Sequence, residues 1–169
     1  MIRVAVLTVS DSAVAGTRED RSGPALEERV LGLGWKVAVK RLVRDEVYEI
    51  SAAVSDLAHA GGIDVILSTG GTGVALRDVT PEAVRAVAPR EIPGFGEVMR
   101  AEGRKSTAYA ALSRSGAYTL GEVLIVTLPG SPRGALESLN AVADLIPHAV
   151  SLLHGHTEHR LEQEPKPEP

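Results

Sequence analysis

Apolar and polar positions fall along this chain in blocks of two kinds, short near-continuous apolar runs and longer stripes with helical spacing. Residues 4–9 (Val-Ala-Val-Leu-Thr-Val) are almost wholly apolar and rich in β-branched side chains, the pattern of a strand buried on both faces that starts at Arg3. A polar loop is expected over 10–23. Pro24 then stands at a first helical position, followed by an apolar stripe of Leu26, Val30, Leu31 and Leu33 that ends around Gly32 and Gly34. Residues 36–43 alternate and predict a second strand. Residues 45–60 predict a helix with Ile50, Val54 and Leu57 on one face, Asp45 as its N-cap and Gly61-Gly62 as its stop. Residues 63–67 predict the third strand.

That strand runs into Thr69-Gly70-Gly71-Thr72-Gly73, and Thr80-Pro81 then opens a short helix, with threonine as cap and proline at the first position. Pro93-Gly94 starts another helical piece over about 95–102. Residues 117–120 and 123–128 read as strands joined by a tight Gly121-Glu122 turn, hence a hairpin. Pro129-Gly130-Ser131-Pro132 leads into one long helix over about 133–154, bent at Pro147. Strand and helix alternate through most of the chain. The pattern predicts an α/β fold: a mostly parallel sheet with helices on both faces, and one antiparallel strand from the hairpin. The expected organisation is one domain over 1–156 and a disordered, proline-rich tail over 157–169.

Composition narrows the function classes. The chain has 169 residues, enough for one domain with a sizeable core, and aromatic residues make up only 3%, so that core must be aliphatic. A net charge of −4 offers no basic field for nucleic acid. The absence of cysteine excludes disulfides, thiolate metal sites and a cysteine nucleophile. No apolar run reaches the length of a membrane span, and residues 3–9 already read as a strand, so no secretory leader and a cytoplasmic protein are expected.

In open α/β sheets, ligands bind beyond the carboxyl ends of the strands. The predicted parallel strands end in Ser10-Asp11-Ser12, Arg44-Asp45-Glu46, the Thr69–Gly73 loop and the Pro129–Pro132 turn, so the polar and glycine-rich clusters share one edge. Glycines let backbone approach an anion, and successive N–H groups form a nest for phosphate. Asp11, Asp45 and Asp78 converge near that loop, and magnesium takes one or two carboxylates plus substrate phosphates. Arg77 and Arg114 are candidates for fork-like phosphate contacts, Ser113 and Ser131 for hydroxyl donors. Plainer roles stand beside these: a glycine-rich turn that only turns, Asp78 as a turn residue, Asp11 and Asp20 as loop formers, Ser131 as a helix cap. The loop lacks the lysine of a Walker A motif, and no GxGxxG follows the first strand. His154, His156 and His159 lie at a helix end and in the tail, the usual place of surface histidines.

Thr8-Val9-Ser10-Asp11, Asp20-Arg21-Ser22-Gly23-Pro24, Asp45-Glu46, Thr69 to Gly73, Arg77 to Ala83, Pro93 to Glu97, Ser113-Arg114 and Leu128 to Pro132 occur in an order and spacing that resembles the MoaB/MogA family of molybdenum-cofactor biosynthesis. The resemblance covers about residues 3–154. It implies a three-layer α/β/α fold, usually trimeric, and a molybdopterin adenylyltransferase that uses magnesium and ATP, with hand-over to a molybdenum insertase. It implies that Asp45 and Asp78 are the acids required for activity and hold magnesium. It also implies that Thr69, Gly70, Gly71, Thr72 and Gly73 line the nucleotide pocket. Ser113, Arg114, Pro129, Gly130 and Ser131 would hold molybdopterin, with Asp11 a weaker candidate. The alternative within the same resemblance is a non-catalytic molybdopterin-binding protein. The chain keeps Arg-Asp-Val-Thr-Pro-Glu-Ala over 77–83, the pattern of active members.

Overall fold

A computed structural model describes residues 1–156; the expected disordered tail and His159 lie outside the described residues. The strands are β1 (Arg3–Val9), β2 (Lys36–Val43), β3 (Val65–Thr69), β4 (Arg90–Ile92), β5 (Gly116–Leu120) and β6 (Val123–Leu128). The helices are α1 (Asp11–Val14), α2 (Ser22–Gly32), α3 (Val47–His59), α4 (Thr80–Val87), α5 (Pro93–Gly103), α6 (Pro132–Val142) and α7 (Ile146–Leu153), with a 3-10 turn at Ala108–Leu112. The strands form one sheet in the order β2-β1-β3-β6-β5-β4. The β2, β1, β3 and β6 neighbours pair in parallel, whereas β5 is antiparallel to both β6 and β4. The predicted parallel sheet with one reversed strand is therefore what forms.

Alternation along the central strands divides the core in two. Val4 and Val6 of β1, Val65 and Leu67 of β3, and Leu124 and Val126 of β6 face Leu26 and Val30 of α2, Met99 of α5, Leu139 of α6 and Ile146 of α7. Ala5, Leu7, Ile66 and Ile125 face the other way, onto Ile50, Val54 and Leu57 of α3 and Ala83 and Val84 of α4. These are the three layers. At roughly 25 cal/mol per Å2 of apolar surface, each fully buried Leu or Ile stabilises the fold by about 2 kcal/mol.

Several local expectations are corrected. The long C-terminal helix is two, α6 and α7, because Pro147 occupies the first turn of a new helix rather than the middle of one. The polar loop after β1 contains the short helix α1, capped by Ser10, whose Oγ accepts from the Ala13 N–H at 3.2 Å. Helix α2 starts at Ser22, ahead of Pro24, and Asp20 joins this start to the sheet. One Asp20 carboxylate oxygen accepts from the Gly23 N–H at 2.9 Å and the other from the Thr8 hydroxyl at 2.7 Å. Asp45 is not a helix cap: Glu46 occupies that position, without a side-chain bond, and the Asp45 carboxylate turns elsewhere. Strand β2 forms as predicted but is an exposed edge, with only Val43 buried.

Candidate active site

The carboxyl ends of β1, β3 and β6 and the amino end of β5 lie at one edge of the sheet. Because β5 runs opposite to its neighbours, the residues that precede it, Ser113 to Ser115, arrive beside the ends of the parallel strands. The β3 end turns sharply at Gly70 (φ +107°) and Gly71 (φ +65°), backbone that side-chain-bearing residues rarely adopt. The turn is tied on three sides. The Gly70 N–H donates to the Leu128 carbonyl at 3.2 Å, the Thr69 hydroxyl to the Pro129 carbonyl at 2.7 Å, and the Thr80 hydroxyl to the Gly70 carbonyl at 2.8 Å. Thr80 is thus the first residue of α4 and a tie to the loop, not the helix cap expected of it. The N–H groups of Gly71, Thr72 and Gly73 donate to no described residue, which leaves successive donors for an anion.

Two clefts meet along the ridge made by Gly71, Gly130 and Ser131. One, of about 500 Å3, has Val74, Met99, Tyr109 and Leu112 among its walls and Asp78 and Ser113 at its polar side. The other, of about 340 Å3, is lined by Ser10, Arg18, Asp20, Arg21, Asp45 and Gly70. Ser131 lies between them while its Oγ accepts from the Gly134 N–H at 3.1 Å, so it is also the α6 cap.

Asp11 and Asp45 hold each other across the ends of β1 and β2. The Asp11 N–H donates to Asp45 Oδ2 at 2.8 Å, and the Asp45 N–H to Asp11 Oδ1 at 3.1 Å. Arg77 closes this pair from outside, 2.7 Å from Asp11 and 3.0 Å from Glu46, with a weaker donation to the Asp45 carbonyl at 3.4 Å. Burial pushes the Asp45 carboxyl above its ordinary pKa. The Asp11 backbone donor opposes this, the Asp11 charge adds to it, Arg77 opposes it, and the Asp78 charge adds to it. A partly buried carboxylate repelled by two others is one that a cation stabilises. Asp78 sits in a tight turn: its Oδ2 accepts from the Ala75 N–H at 2.9 Å, and its own N–H donates to the Ala75 carbonyl at 2.9 Å.

Arg114 is built into the loop. Its backbone N–H donates to the Thr72 carbonyl at 2.8 Å and its Nε to the Gly73 carbonyl at 2.7 Å, while its terminal nitrogens reach the Asp78 carbonyl and the Glu82 carboxylate. Ser113 starts a hydroxyl chain through Ser115 to Thr72 and the Leu128 carbonyl. Sequence reasoning misses Arg18 and Arg21 in the polar cleft, and Val74 and Tyr109 in the larger one. For the first two, a basic pair within an otherwise small and polar loop is the signal that could find them.

The sequence family described as a probable molybdopterin binding domain matches residues 5–148. The chain belongs to that family. Among curated members, a molybdopterin adenylyltransferase of Helicobacter pylori strain J99 is 40% identical over 157 residues, 91% of this chain and 89% of that protein. A molybdenum cofactor biosynthesis bifunctional protein of Synechococcus elongatus is 40% identical over 150 residues, and the match spans 47% of its length. Among solved members of the fold, the molybdopterin biosynthesis enzyme MoaB of Thermus thermophilus superposes with a TM-score of 0.86 at 48% identity, over 92% of this chain and 98% of that one. The family expectation drawn from the ordered motifs, and the three-layer fold it implied, are therefore both met.

Proposed function

We propose that this chain is a molybdopterin adenylyltransferase: it transfers AMP from ATP to the terminal phosphate of molybdopterin. The observation that carries this reading is the pair of clefts meeting at one glycine ridge, with Asp45 in one and Asp78 in the other. The adenylyltransferase relatives at 40% identity support the same reaction. The larger cleft, whose volume suits one small ligand, takes the pterin against Val74, Tyr109 and Leu112. Its phosphate then points to Ser113 and the ridge. The smaller cleft takes the triphosphate, with the free amides of Gly71 to Gly73 at the seam and Arg18 and Arg21 at the mouth.

A phosphate oxygen of molybdopterin forms a bond to the α-phosphorus of ATP as the bond to the β-phosphate oxygen breaks and pyrophosphate leaves. The attacking group is already an anion, so the protein needs no strong base and contributes positioning and charge stabilisation. The donor set fits magnesium. Asp45 and Asp78 are hard oxygen donors that would hold the ion together with substrate phosphates; no cluster of three or more His, Asp or Glu suited to a metal occurs among the described residues. When bound, the ion neutralises charge on the phosphates. Asp45 and Asp78 would hold it, while the ridge would keep the two substrates in line.

The finer assignments follow from the resemblance. The assembly is a trimer, supported by apolar side chains left exposed on the β2 edge and beside it (Leu31, Val39, Leu42 and Tyr48). The activated pterin passes to a molybdenum insertase, and the protein works in the cytoplasm; no described helix is long and apolar enough to cross a membrane. The test is direct. Purified protein with Mg-ATP and molybdopterin is expected to yield adenylylated molybdopterin and pyrophosphate; binding of molybdopterin by calorimetry without ATP turnover would instead mark a binding protein. Sedimentation equilibrium is expected to give three times the 17.7 kDa chain mass, and a monomer would overturn the assembly.

A further inference from the structure

Arg114 stands where a phosphate ligand is expected, but its hydrogen bonds run into the protein. Nε donates to the Gly73 carbonyl at 2.7 Å, one terminal nitrogen to the Asp78 carbonyl and the other to Glu82 at the start of α4. Gly73 and Asp78 are the two ends of the segment that carries Asp78 into the larger cleft. One rigid planar fork thus closes both ends of that segment at once and ties them to a helix. The Arg114 backbone adds a further tie, to the Thr72 carbonyl.

The surroundings fix the guanidinium further. Burial raises the Glu82 carboxyl, but hydrogen bonding from Arg114 and the helix start outweighs it and holds Glu82 below its ordinary pKa, so it stays charged against Arg114 at neutral pH. A Cβ at Gly73 would lie 2.7 Å from Asp78 Oδ2, so a side chain there would have to push that carboxylate aside. The segment is therefore packed back on the carboxylate it presents. Its other restraints are the Ala75–Asp78 turn and the pairing of Arg77 with Asp11 and Glu46, while Val74 and Leu76 are exposed and contribute nothing to the core.

We propose that Arg114 is a positioning residue that fixes Asp78 through the carbonyls of Gly73 and Asp78, and is not a ligand of the molybdopterin phosphate. This rests on the adenylyltransferase reading for its kinetic consequence, and on the loop geometry alone for its structural one. Lysine, a single point charge, does not span three acceptors, so Arg114→Lys fails where the planar fork succeeds.

The experiment compares Arg114→Lys, Arg114→Ala and Glu82→Gln with wild type by steady-state kinetics and by amide hydrogen exchange. Arg114→Lys is expected to lower kcat about a hundredfold with KM for molybdopterin within about threefold, as for loss of charge-assisted bonds that hold a catalytic group. Glu82→Gln is expected to lower kcat by less, about fivefold, since one arm of the fork is weakened. The amides of Ala75 and Asp78 are expected to exchange faster in all three variants, with exchange in the β1, β3 and β6 strands unchanged. A large rise in KM for molybdopterin with kcat kept, or unchanged exchange at 75 and 78, would overturn the proposal. If wild type shows no adenylyl transfer, the functional reading falls, and the exchange result alone decides the role of Arg114.

Discussion

Asp45→Asn is expected to cut adenylyl transfer severely while making the fold more stable at neutral pH. The amide is nearly isosteric and still offers an oxygen to the Asp11 N–H, now 2.8 Å from Asp45 Oδ2, so the β1 and β2 ends stay joined. It removes the charge that orients the cation on the phosphates, a loss on the order of a thousandfold in kcat. Stability moves the other way because burial, with the neighbouring Asp11 and Asp78 charges, raises the Asp45 pKa in the fold. Between its unfolded value, about 3.9, and its higher folded value, the native state binds more proton than the unfolded one. Stability therefore falls as pH rises through that window, and the full penalty is present above the folded pKa. Asparagine escapes it. With the group only partly buried the gain is small, about 2 °C in Tm at pH 7, and it should vanish below about pH 4. Thermal scans of the two proteins across pH check this. A variant that keeps wild-type turnover would remove Asp45 from its place as the cation-orienting acid, and one that melts lower at pH 7 would overturn the burial penalty on its charge.

The same residue marks the limit of what the sequence carries. That Asp11, Asp45, the glycine loop and the Pro129 turn share one edge follows from strand periodicity and the rule for parallel sheets. It needs no side-chain detail, and the sheet order bears it out. That Asp45 would abandon the cap of α3 for the Asp11 amide is not legible, because the choice depends on how close two loops come across the sheet. Strand β4 is invisible for a related reason: Arg90-Glu91-Ile92 has no period of its own and exists by pairing with β5. Pro147 is conspicuous in the sequence but ambiguous, since a proline within an apolar helical pattern reads equally as a bend or a first turn. For Arg114, type and position suggest a phosphate contact. Only the acceptors around it show its Nε and one terminal nitrogen bound to the loop carbonyls.

Gly70→Ala is expected to be the most damaging single substitution in the loop beside the ridge, and Gly130→Ala, on the ridge and facing Gly70, among the mildest. At Gly70 the backbone lies at φ +107°, and a Cβ there would fall 2.1 Å from the Val9 carbonyl oxygen, which is backbone of the central strand β1 and has nowhere to go. Strain at such a φ and overpacking of this kind together cost on the order of 4 kcal/mol. For a domain this size that lowers Tm by about 12 °C. At Gly130 a Cβ would meet the Gly70 Cα at 3.2 Å and the Gly70 N at 3.9 Å, so the Gly70 backbone need give by only a few tenths of an ångström, and the Gly130 φ is not positive. That substitution should cost under about 1 kcal/mol. It nevertheless fills the seam between the two clefts, so its effect should appear in turnover rather than in melting. Chemical denaturation of both variants, read beside their rates of AMP transfer, separates the folding role of Gly70 from the role of Gly130 at the seam. Equal melting losses at the two positions would mean that the ridge is held by the general packing of the loops and not by the approach of Gly70 to Val9.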